Sequence, residues 1–132
     1  MASELKVNTL TGVSTAGSIA VTGEGNSTTT NLQQGLTKAW LNLDGTGTIS
    51  ISDSYNVGSV TDNGTGSYAA TLSNAMSNSL YATGGKHNAN SSFDANGRVL
   101  PSSTTSVVMY AQANGAAVDA SIVTVLVSGD LA

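Results

Sequence analysis

His87 is the only histidine among 132 residues, so the chemistry open to this chain is narrow from the start. A two-histidine metal site or a zinc triad cannot come from one copy without unusual ligands. A Ser/His/Asp triad would have to use this one ring, and no Gly-x-Ser-x-Gly elbow accompanies it. Between Lys86 and Asn88, in a polar and Gly-rich stretch, His87 reads as a solvated loop residue. The carboxylates Asp44, Asp53, Asp62, Asp94 and Asp119 could be imagined as glycosidase acids or calcium ligands. They stand beside Gly and Asn in turns, where Asp is wanted because its side chain bonds nearby backbone amides, and no Asp-x-Asp-x-Asp-Gly loop is present. Gly64-Thr65-Gly66-Ser67-Tyr68-Ala69 fits a loose dinucleotide fingerprint but opens a strand rather than a helix. Trp40 and the tyrosines at 55, 68, 81 and 110 could line a sugar platform. Trp40 alternates with Leu41 and Leu43, so it lies on the opposite face from them, outward or at an interface. Trp40, Tyr81 and His87 are therefore the candidate ligand or interface contacts; no catalytic residue, cofactor or metal is assigned.

Composition restricts the classes further. Charged residues are 9% of the chain, with a formal net charge of -4 and four basic residues, which leaves no electrostatic footprint for nucleic acid or anionic lipid. Ser, Thr, Asn and Gly supply roughly half the residues, well above an ordinary soluble domain. Such a surface is neutral, rich in hydroxyls and poor at keeping copies apart. One Phe and one Trp make for a thin core built from Ala, Val, Leu and Ile. There is no Cys, hence no disulfide framework. MASELKVNTL lacks a basic-then-apolar signal pattern, and no apolar run approaches a membrane span, so assembly in a cytoplasm is expected. The sequons at Asn26, Asn63 and Asn90 read as chance matches.

The elements that must position these residues read as β throughout. Residues 4-10 and 18-22 alternate and predict short strands without local partners, so residues 1-36 form an extended N-terminal segment that packs on something else. Asn31 to Leu36 predicts the single helical turn, capped by Asn31 and stopped near Gly35. From residue 37 to 132 the turns Asp-Gly-Thr-Gly and Asn-Gly-Thr-Gly punctuate alternating runs, which predicts hairpins in an antiparallel, jelly-roll-like β-sandwich. A three-residue loop at Gly45-Thr46-Gly47 would pair Leu43 with Ile49 and Leu41 with Ile51. The same solution at Gly64-Thr65-Gly66 pairs Asp62 with Tyr68 and Val60 with Ala70. A bulge is expected at Gly58-Ser59. Leu80 to Thr83 could add a strand, and Gly84 to Gly97 predicts a long exposed loop. Val107 to Gln112 and Ser121 to Val127, joined through Asn114-Gly115, are apolar on both rows and predict strands covered on both faces, at the centre of a sheet or at a subunit contact.

Three parts of the chain carry a resemblance. SELKVNTL opens it; KAWLNLDGTGTISISDSYNVGSVTDNGTGSYAATLSNAMSNSLYA supplies Lys-Ala-Trp, Asp-Gly-Thr-Gly-Thr, Asp-Ser-x-Asn-Val, Thr-Asp-Asn-Gly-Thr-Gly and Asn-x-Met modules; SVVMYAQANGAAVDASIVTVLVSGDLA closes it. Together these resemble the β-rich tail-fibre and appendage proteins of bacteriophages, marine phages above all. The resemblance implies a non-enzymatic virion component, usually a β-sandwich that works as a homotrimer, in contact with itself and with other virion proteins. The chain is short for a fibre with a shaft, so a small appendage, a fibre tip and a capsid decoration or head-fibre protein are the readings it opens. A module for a host-surface glycan is the alternative class. Neither nucleic acid nor membrane insertion is expected.

Overall fold

The computed structural model describes residues 4–13, 18–23, 25–88 and 95–132. Two compact units are present, Met1–Leu36 and Thr37–Ala132.

In the first unit, β1 (Ala20–Thr22) pairs antiparallel with β2 (Thr29–Asn31), Ala20 opposite Asn31 and Thr22 opposite Thr29. Gly25 and Asn26 turn the hairpin with positive φ, and the Gly23 N–H donates to the Thr28 carbonyl at 2.8 Å. One helical turn, α1 (Leu32–Gly35), follows, and the Asn31 carboxamide accepts from the Gln34 N–H at 3.1 Å as the cap reading requires. Residues 4–10 form no ladder, which corrects the strand expected there: alternation gives a face but no hydrogen-bond partner, and Leu5 and Val7 stay exposed. No described residue of this unit is buried.

The second unit is an all-β sandwich of two antiparallel sheets, not closed into a barrel. Its strands are β3 (Thr37–Asp44), β4 (Ser50–Tyr55), β5 (Val57–Asp62), β6 (Ser67–Leu72), β7 (Ala82–Asn88), β8 (Ala95–Ser103), β9 (Ser106–Ala113), β10 (Ala116–Ala117) and β11 (Ile122–Ser128). One sheet has the order β4-β3-β11-β7; in the other β5 pairs β6, β6 pairs β9, and β9 also takes β8 and β10. Period-two alternation makes the core. Ala39, Leu41, Leu43, Val123, Val125 and Val127 face inward from the first sheet; Tyr68, Ala70, Leu72, Val107, Met109 and Ala111 meet them from the second. Each large apolar side chain buried there contributes on the order of 1.5 to 3 kcal/mol.

The β5–β6 hairpin has the expected register, Val60 opposite Ala70 and Asp62 opposite Tyr68, with a bulge between Val57 and Ser59. The β3–β4 hairpin does not. Leu43 lies opposite Ile51 and Leu41 opposite Ser54, with a shift between Asn42 and Leu43. Two contacts open this loop beyond three residues. The Asp44 carboxylate accepts from the Thr46 N–H at 2.9 Å and its hydroxyl at 2.6 Å, and the Gly45 N–H donates to the Ala120 carbonyl at 2.8 Å. Gly45 is thereby tied into the core, and a Cβ there would collide with the Tyr68 ring. At the other end of β4 the chain crosses between sheets through one residue, Asn56, with φ at 57°. Its carboxamide donates to the Lys38 carbonyl at 3.0 Å and accepts from the Asn74 N–H at 2.7 Å, which satisfies the corner.

The stretch read as a long loop from Gly84 to Gly97 is mostly strand where it is described; residues 89–94 of that loop lie outside the described residues. Two of its three glycines mark close approach instead of irregularity. A Cβ on Gly85 would run into the Thr124 carbonyl and Val99, and one on Gly97 into the His87 ring. β9 and β11 are central, as expected, each paired on both sides. β11 is not covered on both faces, however: Ile122 is 44% and Leu126 51% exposed, whereas Val108 and Tyr110 on the outer row of β9 are half-buried. Nor are the two strands hairpin partners, since Asn114-Gly115 turns β9 into β10 while β11 belongs to the opposite sheet.

Candidate interaction face

Of the three residues singled out by the sequence, the structure separates Trp40 from the other two. Tyr81, Thr83, Gly85 and His87 form one inward row along the start of β7, and each polar member reaches across to the second sheet. Tyr81 is 6% exposed and its hydroxyl sits against the carbonyls of Ser103 at 2.9 Å and Ser106 at 2.8 Å. The Thr83 hydroxyl donates to the Val99 carbonyl at 2.7 Å. His87 is 4% exposed, which corrects its reading as a solvated loop residue. Its Nε2 lies 3.0 Å from the Gln112 carbonyl oxygen, and because a carbonyl only accepts, Nε2 carries the proton. Nδ1 rests against Gly97, where any larger residue would displace the ring.

A period-two row of polar residues pointing inward is what defeated the sequence reading. Alternation is sought among apolar side chains, whereas here hydroxyls and an imidazole are buried because backbone acceptors of the facing sheet await them. Beside His87 is a small cavity of about 10 Å³, lined in part by Gly85, Gly97, Val99 and Met109. That is space for about one water and none for an organic ligand. The Arg98 guanidinium stacks 4.8 Å from the Tyr110 ring centre.

A second polar cluster ties three loops together. The Asp119 carboxylate accepts from the Gly66 N–H at 2.8 Å and lies 3.1 Å from the Tyr68 hydroxyl, which is also 3.0 Å from the Gly45 carbonyl. Tyr68 is fully buried, and its desolvation, reinforced by the Asp119 charge, pushes the phenol up to about 12. Burial likewise pushes the Tyr81 phenol up. Among the described residues no group of three or more His, Asp or Glu could hold a metal ion, and no helix is long and apolar enough to cross a membrane.

Trp40 lies on the outer face of the β4-β3-β11-β7 sheet. It is half-buried between Tyr55 on β4 and Leu126 on β11, and Gly84 of β7 completes the rung. Tyr55 is 55% exposed. The adjacent outward rung is polar and runs Asp53, Asn42, Thr124, Lys86. The outward position of both rungs follows from their inward neighbours Ala39, Leu41, Val125 and His87, all buried. This apolar rung sets an aromatic pair, Trp40 and Tyr55, on the outer strand surface. Sequence reasoning placed Trp40 outward but could not join it to Tyr55 and Leu126, which are brought beside it by strand pairing alone.

Comparisons with family models, with curated proteins and with solved structures give no match.

Proposed function

We propose that this chain is a non-enzymatic structural protein of a bacteriophage particle, a small surface appendage of tail-fibre type that assembles as a homotrimer in the host cytoplasm. The observation that carries the reading is where its side chains are used. His87, Tyr81, Tyr68 and Asp119, the groups best suited to proton transfer, are engaged in holding strands and loops together. Apolar side chains are meanwhile left on surfaces: Leu5, Val7, Leu10 and Val13 in the N-terminal unit, Tyr55, Ile122 and Leu126 on the sandwich. A protein that spends its reactive groups on rigidity and keeps apolar surface for contact is built for assembly. The sequence modules around Trp40 and the Asn-Gly-Thr-Gly hairpin support the phage assignment. Docking to other virion proteins belongs to the N-terminal unit, and a capsid decoration or head-fibre position fits the same features.

A glycan-binding role has one observation in its favour, the outward-facing Trp40–Tyr55 pair, since aromatic faces stack on sugar rings. Labelling the protein on purified particles and weighing it by light scattering tests the proposal. Signal on the particle surface and a solution mass of three chains, or of a multiple of three, are expected. Absence from particles, or a monomer at micromolar concentration, overturns it; binding on a glycan array abolished by Trp40→Ala would favour the second reading.

A further inference from the structure

The outer face of the β4-β3-β11-β7 sheet is self-complementary, and we infer that it pairs with the same face of a second copy about a two-fold axis parallel to the strands. The inference does not depend on a phage origin. Its basis is the order of side chains across two adjacent rungs. One reads Tyr55, Trp40, Leu126, Gly84, and the other Asp53, Asn42, Thr124, Lys86. Each has opposite properties at its two ends. A two-fold axis running between β3 and β11 carries β4 of one copy over β7 of the other. Tyr55 then stands over Gly84, the one position of that rung without a side chain, so a ring meets a depression. Trp40 meets Leu126. In the next rung Asp53 meets Lys86, and symmetry repeats each contact, giving two opposite-charge pairs at the rim and a closed apolar strip between them.

Among the described residues neither charge has an ion-pair partner in its own copy that would compete. Within one chain Asp53 and Lys86 sit on opposite edge strands, three strand spacings or about 14 Å apart. The Asp53 carboxylate accepts from the neighbouring Ser54 N–H, at 2.8 Å, and keeps acceptor capacity for a second partner. Exposure agrees with the location: Tyr55 is 55% and Leu126 51% exposed in a single copy. Four strands about 4.8 Å apart and some seven residues long make a face of roughly 450 Å², and side chains standing on it raise the accessible area toward that of the smaller specific interfaces. That size suits a weak, reversible association. With charged residues at only 9% of the chain, little repulsion opposes it.

The test is a charge swap in the full-length protein, read by sedimentation at tens of micromolar and low salt. Asp53→Lys and Lys86→Asp each place like charges opposite one another twice, and each should weaken pairing roughly tenfold or more, halving the assembled mass. The double variant D53K/K86D restores the opposite-charge pairs with their positions exchanged, and its mass should return to that of the unaltered chain. Both sites are exposed, and unchanged thermal melting of each variant confirms that folding is intact. A mass unaffected by either reversal, or a double variant that stays split, overturns the pairing. The outcome is separable from the trimer proposal: after a single reversal the remaining particle contains three chains if the trimer stands and one if it does not.

Discussion

Tyr68 shows how much one side chain can hold in a thin core. Its ring fills the space under Gly45, and its hydroxyl lies between the Gly45 carbonyl and the Asp119 carboxylate, so the first loop of one sheet and the first hairpin of the other share an anchor. The neutral phenol is the form that suits this setting. Ionisation would put a negative charge beside Asp119 in a desolvated pocket. The folded-state value of about 12 lies above the ordinary value of 10.0, so Tyr68 contributes a stability that is complete below pH 10 and lost as pH rises toward 12. Thermal melts across that window should show a steep alkaline fall, to which Tyr81 adds in the same direction. Tyr68→Phe should cost about 1 kcal/mol at neutral pH, the net value of a buried hydrogen bond, and flatten the alkaline fall. An equally steep fall in the variant would show that another group governs the transition.

At the scale of the element, β11 is the strand on which the first sheet depends. It lies between β3 and β7, with ladders on both sides, and buries Val123, Val125 and Val127. Removing it leaves β3 and β7 without a shared neighbour and opens the core above Met109 and Val107. Truncation after Ala120 should therefore give protein that is insoluble or lacks a cooperative melt, since the loss includes a central ladder and three buried valines at roughly 1.5 kcal/mol or more each. A truncated chain that melts cooperatively would place the strand at the periphery of the fold. β7 is the contrasting case: its ladder to β11 is regular, but its grip on the second sheet is made by Tyr81, Thr83 and His87 with backbone acceptors, so this edge is joined by polar contacts where the centre is joined by apolar ones.

For the whole molecule, the two units divide the labour unequally. Every residue of the buried cluster belongs to Thr37–Ala132, and the described residues of Met1–Leu36 supply none. Deleting residues 1–36 should accordingly leave the melting temperature of the remaining body within a few degrees of the full chain, because no core area is lost. If the first unit serves docking, incorporation into particles should disappear in the same deletion. A body that no longer folds would show that the N-terminal unit contributes stability beyond its own contacts.

The sequence by itself determined the all-β class, the single capped helical turn, the β5–β6 register and the central position of the last long strand. These rest on local physics: turn residues with the right φ, period-two alternation, and a cap side chain three residues from its donor. Tertiary structure decided the rest. The β3–β4 loop could be read as three residues from its glycines, yet Ala120 and Tyr68, distant in the chain, hold Gly45 inside and move Leu43 opposite Ile51. His87 looked like a loop residue because the acceptor that makes its burial favourable, the Gln112 carbonyl, belongs to a strand of the other sheet. The outer rung was equally hidden, since Tyr55, Trp40, Leu126 and Gly84 become neighbours only when four separate strands pair. Spacing along the chain reports what backbone geometry permits locally, whereas burial of a polar group or the order of residues across a sheet depends on partners that folding alone brings within reach.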